Sequence, residues 1–259
     1  MTAGRPAVSC VVIARDAERS IGMTLASAAF CPERLVLDSG SVDATVAIAL
    51  AAGARVEHQP FLGYGLQKRR AVELAAHDWI LSLDADESLD PEAAAAVQHL
   101  ELTDPDACYA FQRRTFIGTR EVRHGPWGGE RVVRLFHRGR AGFSTLPVHE
   151  RVEPRTPPRL LPGSILHHSF TDGADVLARS IRYARLKAGL MRSRGEGAAA
   201  WALPLRGVAT FMKSYVVQGG WRDGTAGFVV AVSRVIDSTL PRALLLLDDV
   251  RDDAPPPPR

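Results

Sequence analysis

The chain has 259 residues, 46% hydrophobic and 24% charged, with a net charge of +3; this is ordinary globular composition, enough for one large domain or for a domain with an appendage. Three cysteines, Cys10, Cys31 and Cys108, are odd in number and far apart, so they point to neither a disulfide framework nor a zinc site and fit a reducing compartment. Met1 to Ser9 lacks the apolar core of a signal peptide, and no run approaches about 18 apolar residues without a charge, so no spanning helix is expected.

The elements alternate from the start. Val8 to Ala14 is a β-branched run and reads as a buried strand, and the polar segment 15–20 leads into a helix over 21–30. A second strand, 34–37, stops at Asp38. The small polar loop 39–45 opens a helix through Ala52, closed by Gly53 as a C-cap. A short third strand covers 54–57. Gly63-Tyr64-Gly65 breaks the chain ahead of a basic amphipathic helix over 66–76, which carries Gln67, Lys68, Arg69 and Arg70. The apolar run Trp79 to Leu83 is a fourth strand, and it stops at the carboxylates Asp84, Asp86 and Glu87.

Strands alternating with helices build a parallel sheet covered by helices, with ligands at the carboxyl ends of the strands. Acids stand at three such ends: Asp16, Asp38, and Asp84 with Asp86. The first strand is not followed by Gly-x-Gly-x-x-Gly, and no phosphate-binding Gly-x-x-x-x-Gly-Lys is present. That disfavours a dinucleotide fold and a P-loop, so the phosphates of a bound nucleotide would be held by metal and side chains. Asp84 and Asp86 are two apart, and an extended backbone turns them to one side. Converging carboxylates repel unless a cation lies between them. Hard oxygen ligands suit Mg²⁺ or Mn²⁺, which usually borrow substrate phosphates. The plainer alternative is an acidic turn capping the next helix, 91–102, which has Asp90 as N-cap and Pro91 at its first position.

From Cys108 to Val152 the period shifts toward two, and 109–113, 132–136 and 142–146 read as strands of a mixed sheet. Between them the Gly-rich loop His124 to Glu130 presents Trp127, apt for stacking a sugar or base and equally apt as a core residue in a tight turn.

Taken in order, these residues resemble a known family. Val11-Val12-Ile13, Leu37 to Val46, Gly63 to Lys68, Leu81 to Glu87, Arg123-His124-Gly125, Arg134-Leu135-Phe136, Val148-His149-Glu150, Leu166-His167 and Gly219 to Gly224 are similar to motifs of the family 2 glycosyltransferases of the GT-A fold. The likeness is to the soluble bacterial enzymes that extend the lipopolysaccharide inner core, and it covers most of 8–230. The resemblance implies a GT-A, Rossmann-like, mostly parallel sheet flanked by helices with a C-terminal helical appendage. It implies that Asp38 contacts the nucleobase or ribose of a sugar nucleotide, that Asp84 sits near the ribose, and that Asp86 holds a Mg²⁺ or Mn²⁺ on the diphosphate. It sets Lys68 near the phosphate or sugar and Arg134 at the substrate. Inverting members need a carboxylate to take the acceptor proton; Glu150 is the first candidate, with Glu130 behind it, while the alternative for Glu150 is a solvated charge paired with Arg151. His167 ends an apolar run and either completes the metal shell or is a structural hydrogen-bonder; His149 and His168 carry the same structural alternative.

Two departures stand out. The family's Asn-Glu-Glu loop is here Asp16-Ala17-Glu18, which removes a contact of the middle acid, and the Asn after Gln-Lys is here Arg69, an added cation near the diphosphate.

The C-terminal part is uneven in charge: residues 175–222 hold nine Lys or Arg against two acids, Asp175 and Glu196. Leu177, Ile181, Ala184, Ala188 and Met191 recur at helical spacing, with Tyr183, Leu186 and Leu190 as a second stripe. Trp201, Leu203, Leu205, Phe211, Met212, Tyr215 and Trp221, interleaved with Arg206, Lys213 and Arg222, fit a segment lying on an anionic membrane. The alternative is a helix packed on the catalytic domain with its charges solvated. No RNA-binding signature is present, so no nucleic-acid partner is expected.

The sequence therefore predicts a catalytic domain over 1–170, a basic helical region over 171–250 and a disordered Pro-rich tail over 251–259. The expected activity is inverting, metal-dependent transfer of a hexose from a nucleotide-sugar, UDP-linked, to a sugar hydroxyl of a lipid-anchored glycan. The expected location is cytoplasmic, peripheral on the inner face of the plasma membrane. Transfer to polyprenyl phosphate, and a catalytically inactive nucleotide-sugar-binding protein, are the alternatives.

Overall fold

The computed structural model describes residues 7–144 and 151–247. Strand β1 (Val8–Ala14) is buried along its whole length and lies between two parallel neighbours, β2 (Glu33–Asp38) and β4 (Trp79–Asp84). Strands with both faces covered read as continuous apolar runs, and β1 is one. β3 (Arg55–His58) pairs parallel with β2 and closes that edge. Between these strands run α1 (Ile21–Ser27), α2 (Thr45–Ala51) and α3 (Tyr64–Leu74).

The sheet continues as expected for a mixed one. After β5 (Glu87–Leu89) and α4 (Pro91–Gln98) come β6 (Tyr109–Ile117), β7 (Arg120–Val122), β8 (Arg131–His137) and β9 (Arg159–Phe170). The order is β3-β2-β1-β4-β8-β6-β9-β5, with β7 on β6, and β8 runs antiparallel to both β4 and β6. The fold is therefore mixed α/β, with its parallel half at the amino end of the chain and helices at the carboxyl end.

Several expectations change. α1 and α4 end earlier than predicted, at Ser27 and Gln98, and α3 starts earlier, at Tyr64. Asp90 does cap α4, accepting from the Ala93 N–H at 2.8 Å with Pro91 next. In place of a strand over 142–146, Phe143 makes an isolated bridge to Val152, and 145–150 lie outside the described residues. β5, β7 and β9 were not anticipated. β9 contains Pro162 and Gly163, which hide a strand pattern. Gly163 has φ +80°, and a Cβ there would lie 2.1 Å from the Ala93 nitrogen, so only glycine lets β9 pass α4.

The described chain forms two compact units. The first holds 7–113, 130–144 and 151–167. Its two cores take alternate residues of β1: Cys10, Val12 and Ala14 join one, Val11 and Ile13 the other, the period-two alternation of a strand. Cys10, Cys31 and Cys108 are free, buried thiols, and burial pushes Cys31 up to about 12.

The second unit holds 114–129 and 168–247. Its helices are α5 (Gly173–Ser193), α6 (Ala202–Phe211), a π-helical turn (Met212–Val217), a 3-10 turn (Gly220–Asp223) and α7 (Gly224–Leu246), with α5 and α6 both packed on α7. The buried face of α5 is Val176, Ser180, Ala184, Ala188 and Met191. Leu177 and Ile181, expected on that face, lie off it, and Ile181 is exposed. A Cβ on Gly227 would lie 1.8 Å from the Gly220 carbonyl oxygen, so α7 touches the turn before it backbone to backbone.

Candidate active site

The carboxyl ends of β1, β2 and β4 carry the acids singled out in the sequence. The loops after β1 and β2 are tied together. The N–H groups of Asp16, Ala17 and Glu18 donate to Ser41 Oγ, Thr45 Oγ1 and Asp43 Oδ2, while Val42 and Ala44 N–H donate back to Asp16 Oδ1 and Glu18 Oε2, all within 2.7–3.1 Å. Asp16 adopts φ +49°, a left-handed conformation an Asp tolerates. Ala17 is buried in the core, so this loop turns a methyl inward at its middle position.

Asp38 is buried and its carboxylate is taken up locally. It accepts from the N–H groups of Gly40 and Ser41, from Ser41 Oγ, and lies 3.1 Å from His58 Nδ1. It shapes the 39–45 loop from beneath. On α3, Gln67 is fully buried: its amide nitrogen donates to Ser39 Oγ and the Gln59 carbonyl, and its amide oxygen accepts from the Leu62 N–H. Lys68, next along, is also buried, and its Nζ reaches Asp84 Oδ1 at 2.7 Å and lies 5.3 Å from the Phe143 ring centre. Arg69, about 100° further round the helix, is exposed.

β4 ends at Asp84, and Ala85-Asp86 form a tight turn into β5. Asp84 and Asp86 therefore do not sit on one extended strand, as the two-residue spacing predicted. The turn is held by Glu87, which accepts from the Asp84 N–H at 3.1 Å. Glu87 is fully buried and grips Arg134 of β8 with both oxygens, to Nε at 2.8 Å and Nη2 at 2.7 Å. The same Nη2 reaches Asp84 Oδ2 at 2.8 Å. Arg113 of β6 extends the chain of charge, 3.6 Å from Glu87 and paired with Glu130. Asp86 faces the Nε2 of His167 on β9 at 3.6 Å.

Three cations, Lys68, Arg113 and Arg134, thus meet Asp84, Glu87 and Glu130. Burial pushes the Asp84 carboxyl up, but Lys68 and Arg134 outweigh it and hold it far below the usual carboxylate range. Glu87 is likewise lifted by burial and brought down by Arg134, against some opposition from Asp84. Ionised groups out of water persist only when paired in this way.

Among the described residues, no group of three or more His, Cys, Asp and Glu is arranged to hold a metal. Asp86 and His167 supply an oxygen and a nitrogen facing each other, and a Mg²⁺ or Mn²⁺ takes few protein ligands when substrate phosphates complete its shell. The pair fits such an ion.

Of the remaining predicted residues, Glu130 is exposed beyond its bond to Arg113, and Glu150 lies outside the described residues. Trp127 belongs to the second unit, where it stacks on Phe170 with ring centres 5.1 Å apart. There His124 Nδ1 lies 2.7 Å from Asp223 Oδ1, and Asp223 Oδ2 accepts the N–H groups of Arg123 and His124. Two motifs about a hundred residues apart meet at that carboxylate. Sequence reasoning missed Glu87, Gln67 and Arg113 as site-builders. For Glu87 the signal was present: a glutamate opening a strand, directly behind two aspartates.

A family model described as glycosyl transferase family 2 matches residues 9–154, more than half of the chain. The lipopolysaccharide core biosynthesis glycosyltransferase LpsC of Rhizobium meliloti (strain 1021) is 27% identical over 244 residues, covering 91% of this chain and 90% of its own length. An uncharacterized glycosyltransferase of Rickettsia conorii is 27% identical over 214 residues, covering 77% and 75%. Among solved structures, glucosyl-3-phosphoglycerate synthase of Mycobacterium tuberculosis, in complex with Mn²⁺, UDP and glucosyl-3-phosphoglycerate, is 28% identical with a TM-score of 0.35. That match covers 44% of this chain and 45% of that one, so the chain spans under half the length of that protein.

Proposed function

The chain belongs to glycosyl transferase family 2, and from that premise we propose that it is an inverting, metal-dependent enzyme that moves a hexose from UDP to a sugar hydroxyl of a lipid-anchored glycan. The observation that carries this reading is the Asp84–Asp86 turn at the carboxyl end of a parallel strand, with buried Lys68 and Arg134 against it. Carboxylates and cations gathered at such an end suit a nucleotide diphosphate and its metal.

Asp86 and His167 would hold Mg²⁺ or Mn²⁺, which when bound would offset charge on the leaving diphosphate. Asp38 shapes the loop under the nucleoside, and Asp16 braces it from the neighbouring loop. Lys68 and Arg134 hold Asp84 ionised and in one orientation beside the donor. Arg69, exposed one position beyond Lys68, adds a cation for the diphosphate. The acceptor hydroxyl gives its proton to a carboxylate as its oxygen attacks the anomeric carbon and the bond to the diphosphate breaks. Glu150 is the proposed base and Glu130 the alternative, the latter already engaged by Arg113.

The glycan acceptor is supported by the likeness to LpsC along nearly the whole of both chains. No helix among the described residues is long and apolar enough to cross a membrane. Work at the inner face of the plasma membrane, as a peripheral protein, is proposed on the basic and aromatic character of 175–222.

The test measures UDP release from UDP-hexoses with Mg²⁺ or Mn²⁺, with and without a lipid-linked glycan. Acceptor-dependent release is the expected result; donor binding without release points to an inactive binding protein. Asp86→Ala should keep the fold and lose metal-dependent donor binding, and full turnover by that variant would sink the metal assignment. Glu150→Gln should bind donor and metal normally and lose about 10²–10⁴-fold in rate, the usual weight of a general base. If Glu130→Gln is the one that fails, the base is Glu130.

A further inference from the structure

The second unit exposes apolar side chains in a pattern. Trp201 is 77% exposed, Leu205 and Val208 each 65%, and Met212 and Val216 are exposed as well. Their spacing of four, three, four and four residues makes one stripe along α6 and the π-helical turn. The opposite side is used internally: Ser214 is buried, and Phe211 and Tyr215 pack on Phe228 of α7. A groove of about 330 Å³ lined by Val208 and Met212 with Val232 and Val235 of α7 continues the apolar surface. A contiguous exposed patch of this kind marks an interaction site, because single exposed apolar residues are normal and an aligned run is not.

The charges around the stripe choose the occupant. Glu196 and Asp223 bracket a stretch with no acid at all, in which Arg206, Lys213 and Arg222 are exposed. Trp201 opens the stripe and Trp221, 58% exposed, stands past its end. An apolar stripe flanked by cations, with aromatics at its limits, matches a helix lying in the plane of a bilayer interface. A second copy set on the same face by a two-fold axis would bring like charges together.

We infer that this face of α6 and the π-helical turn is the surface by which the protein lies on an anionic phospholipid bilayer. The inference rests on the membrane part of the proposed function and is independent of the donor and the base. It also narrows that part: α5, although more basic, turns its regular face onto the unit's own core.

The experiment is co-sedimentation of the full chain with phosphatidylcholine vesicles, with and without phosphatidylglycerol, across a salt series. Binding to the anionic vesicles, weakened by salt, is expected. Leu205→Glu with Val208→Glu should lower the partition coefficient at least about tenfold, while Ile181→Glu on α5 should leave it unchanged. If the double variant loses its circular dichroism signal, Lys213→Gln with Arg222→Gln serves instead, with a fall of about fivefold per cation expected. Absence of vesicle binding, equal binding by the face variants, or a loss matched by Ile181→Glu overturns the inference. So does a lipid-free dimer that Leu205→Glu dissociates, which would assign the face to a second copy. UDP-hexose binding in solution is read on the same proteins. Its presence with no vesicle binding removes the membrane face and leaves the transferase standing; its absence with vesicle binding intact does the reverse.

Discussion

In the first unit ions are held inside, among them Lys68, Glu87 and Arg134, and its exposed apolar side chains, such as Val42 and Leu50, are scattered. In the second unit exposed apolar side chains line up instead: Trp201, Leu205 and Val208. Lys, Glu and Arg are rarely buried unless paired, and large apolar groups rarely align on a surface. Each departure has a cost that folding alone does not require. The interior ions are retained only by mutual pairing, and the exterior stripe is not compensated within the unit. The first arrangement is satisfied within the unit; the second leaves its apolar side chains to solvent.

The contrast predicts unequal responses to mutation. Arg134→Ala removes the guanidinium that both oxygens of buried Glu87 bond, with Arg113 left 3.6 Å away, and should cost about 3–5 kcal/mol in denaturant unfolding, the usual effect of breaking a buried pair. A loss below about 1 kcal/mol would mean water reaches the cluster, and the contrast with the second unit would fail.

A smaller effect tests the second unit's own ion pairs. Glu121, mostly buried, is held down to about 2, chiefly by its bond to Arg114 and further by Arg123. A depressed carboxyl stabilises the fold above the unfolded value and loses that contribution as pH falls through the folded one. Stability should therefore fall between about pH 4.5 and 2, and Glu121→Gln should flatten this part of the profile. An unchanged profile would remove Glu121 from the account. The smallest expected effect is on the stripe: Leu205→Ser, at an exposed position, should change stability by no more than about 0.5 kcal/mol. A larger loss would mean that Leu205 packs within the unit, and the stripe would no longer be unpartnered.

The parallel half of the sheet was legible almost residue by residue, because β1, β2 and β4 are apolar runs stopped by acids. Lys68, Asp84 and Asp86 were legible as motif residues. Their partners were not. The Lys68–Asp84 and Arg134–Glu87 pairs join elements 16 and 47 residues apart, and only the crossing of helix, strand and turn makes them neighbours. The buried face of α5 was legible at Ala184, Ala188 and Met191 and off by one residue, about 100° of rotation, only in its first turns, because the buried Ser180 counts as polar while the exposed Ile181 counts as core. β9 was hidden by Pro162 and Gly163, whose role appears only beside α4.

The two loops above Asp38 have one more consequence. Five hydrogen bonds cross between 16–18 and 41–45, and they run in both directions. Neither loop can swing away without stripping backbone groups of the other, so a half-open lip has no favourable form. The amide protons of Ala17, Val42 and Ala44 should then exchange with solvent at one common rate, as a latch that is either shut or released.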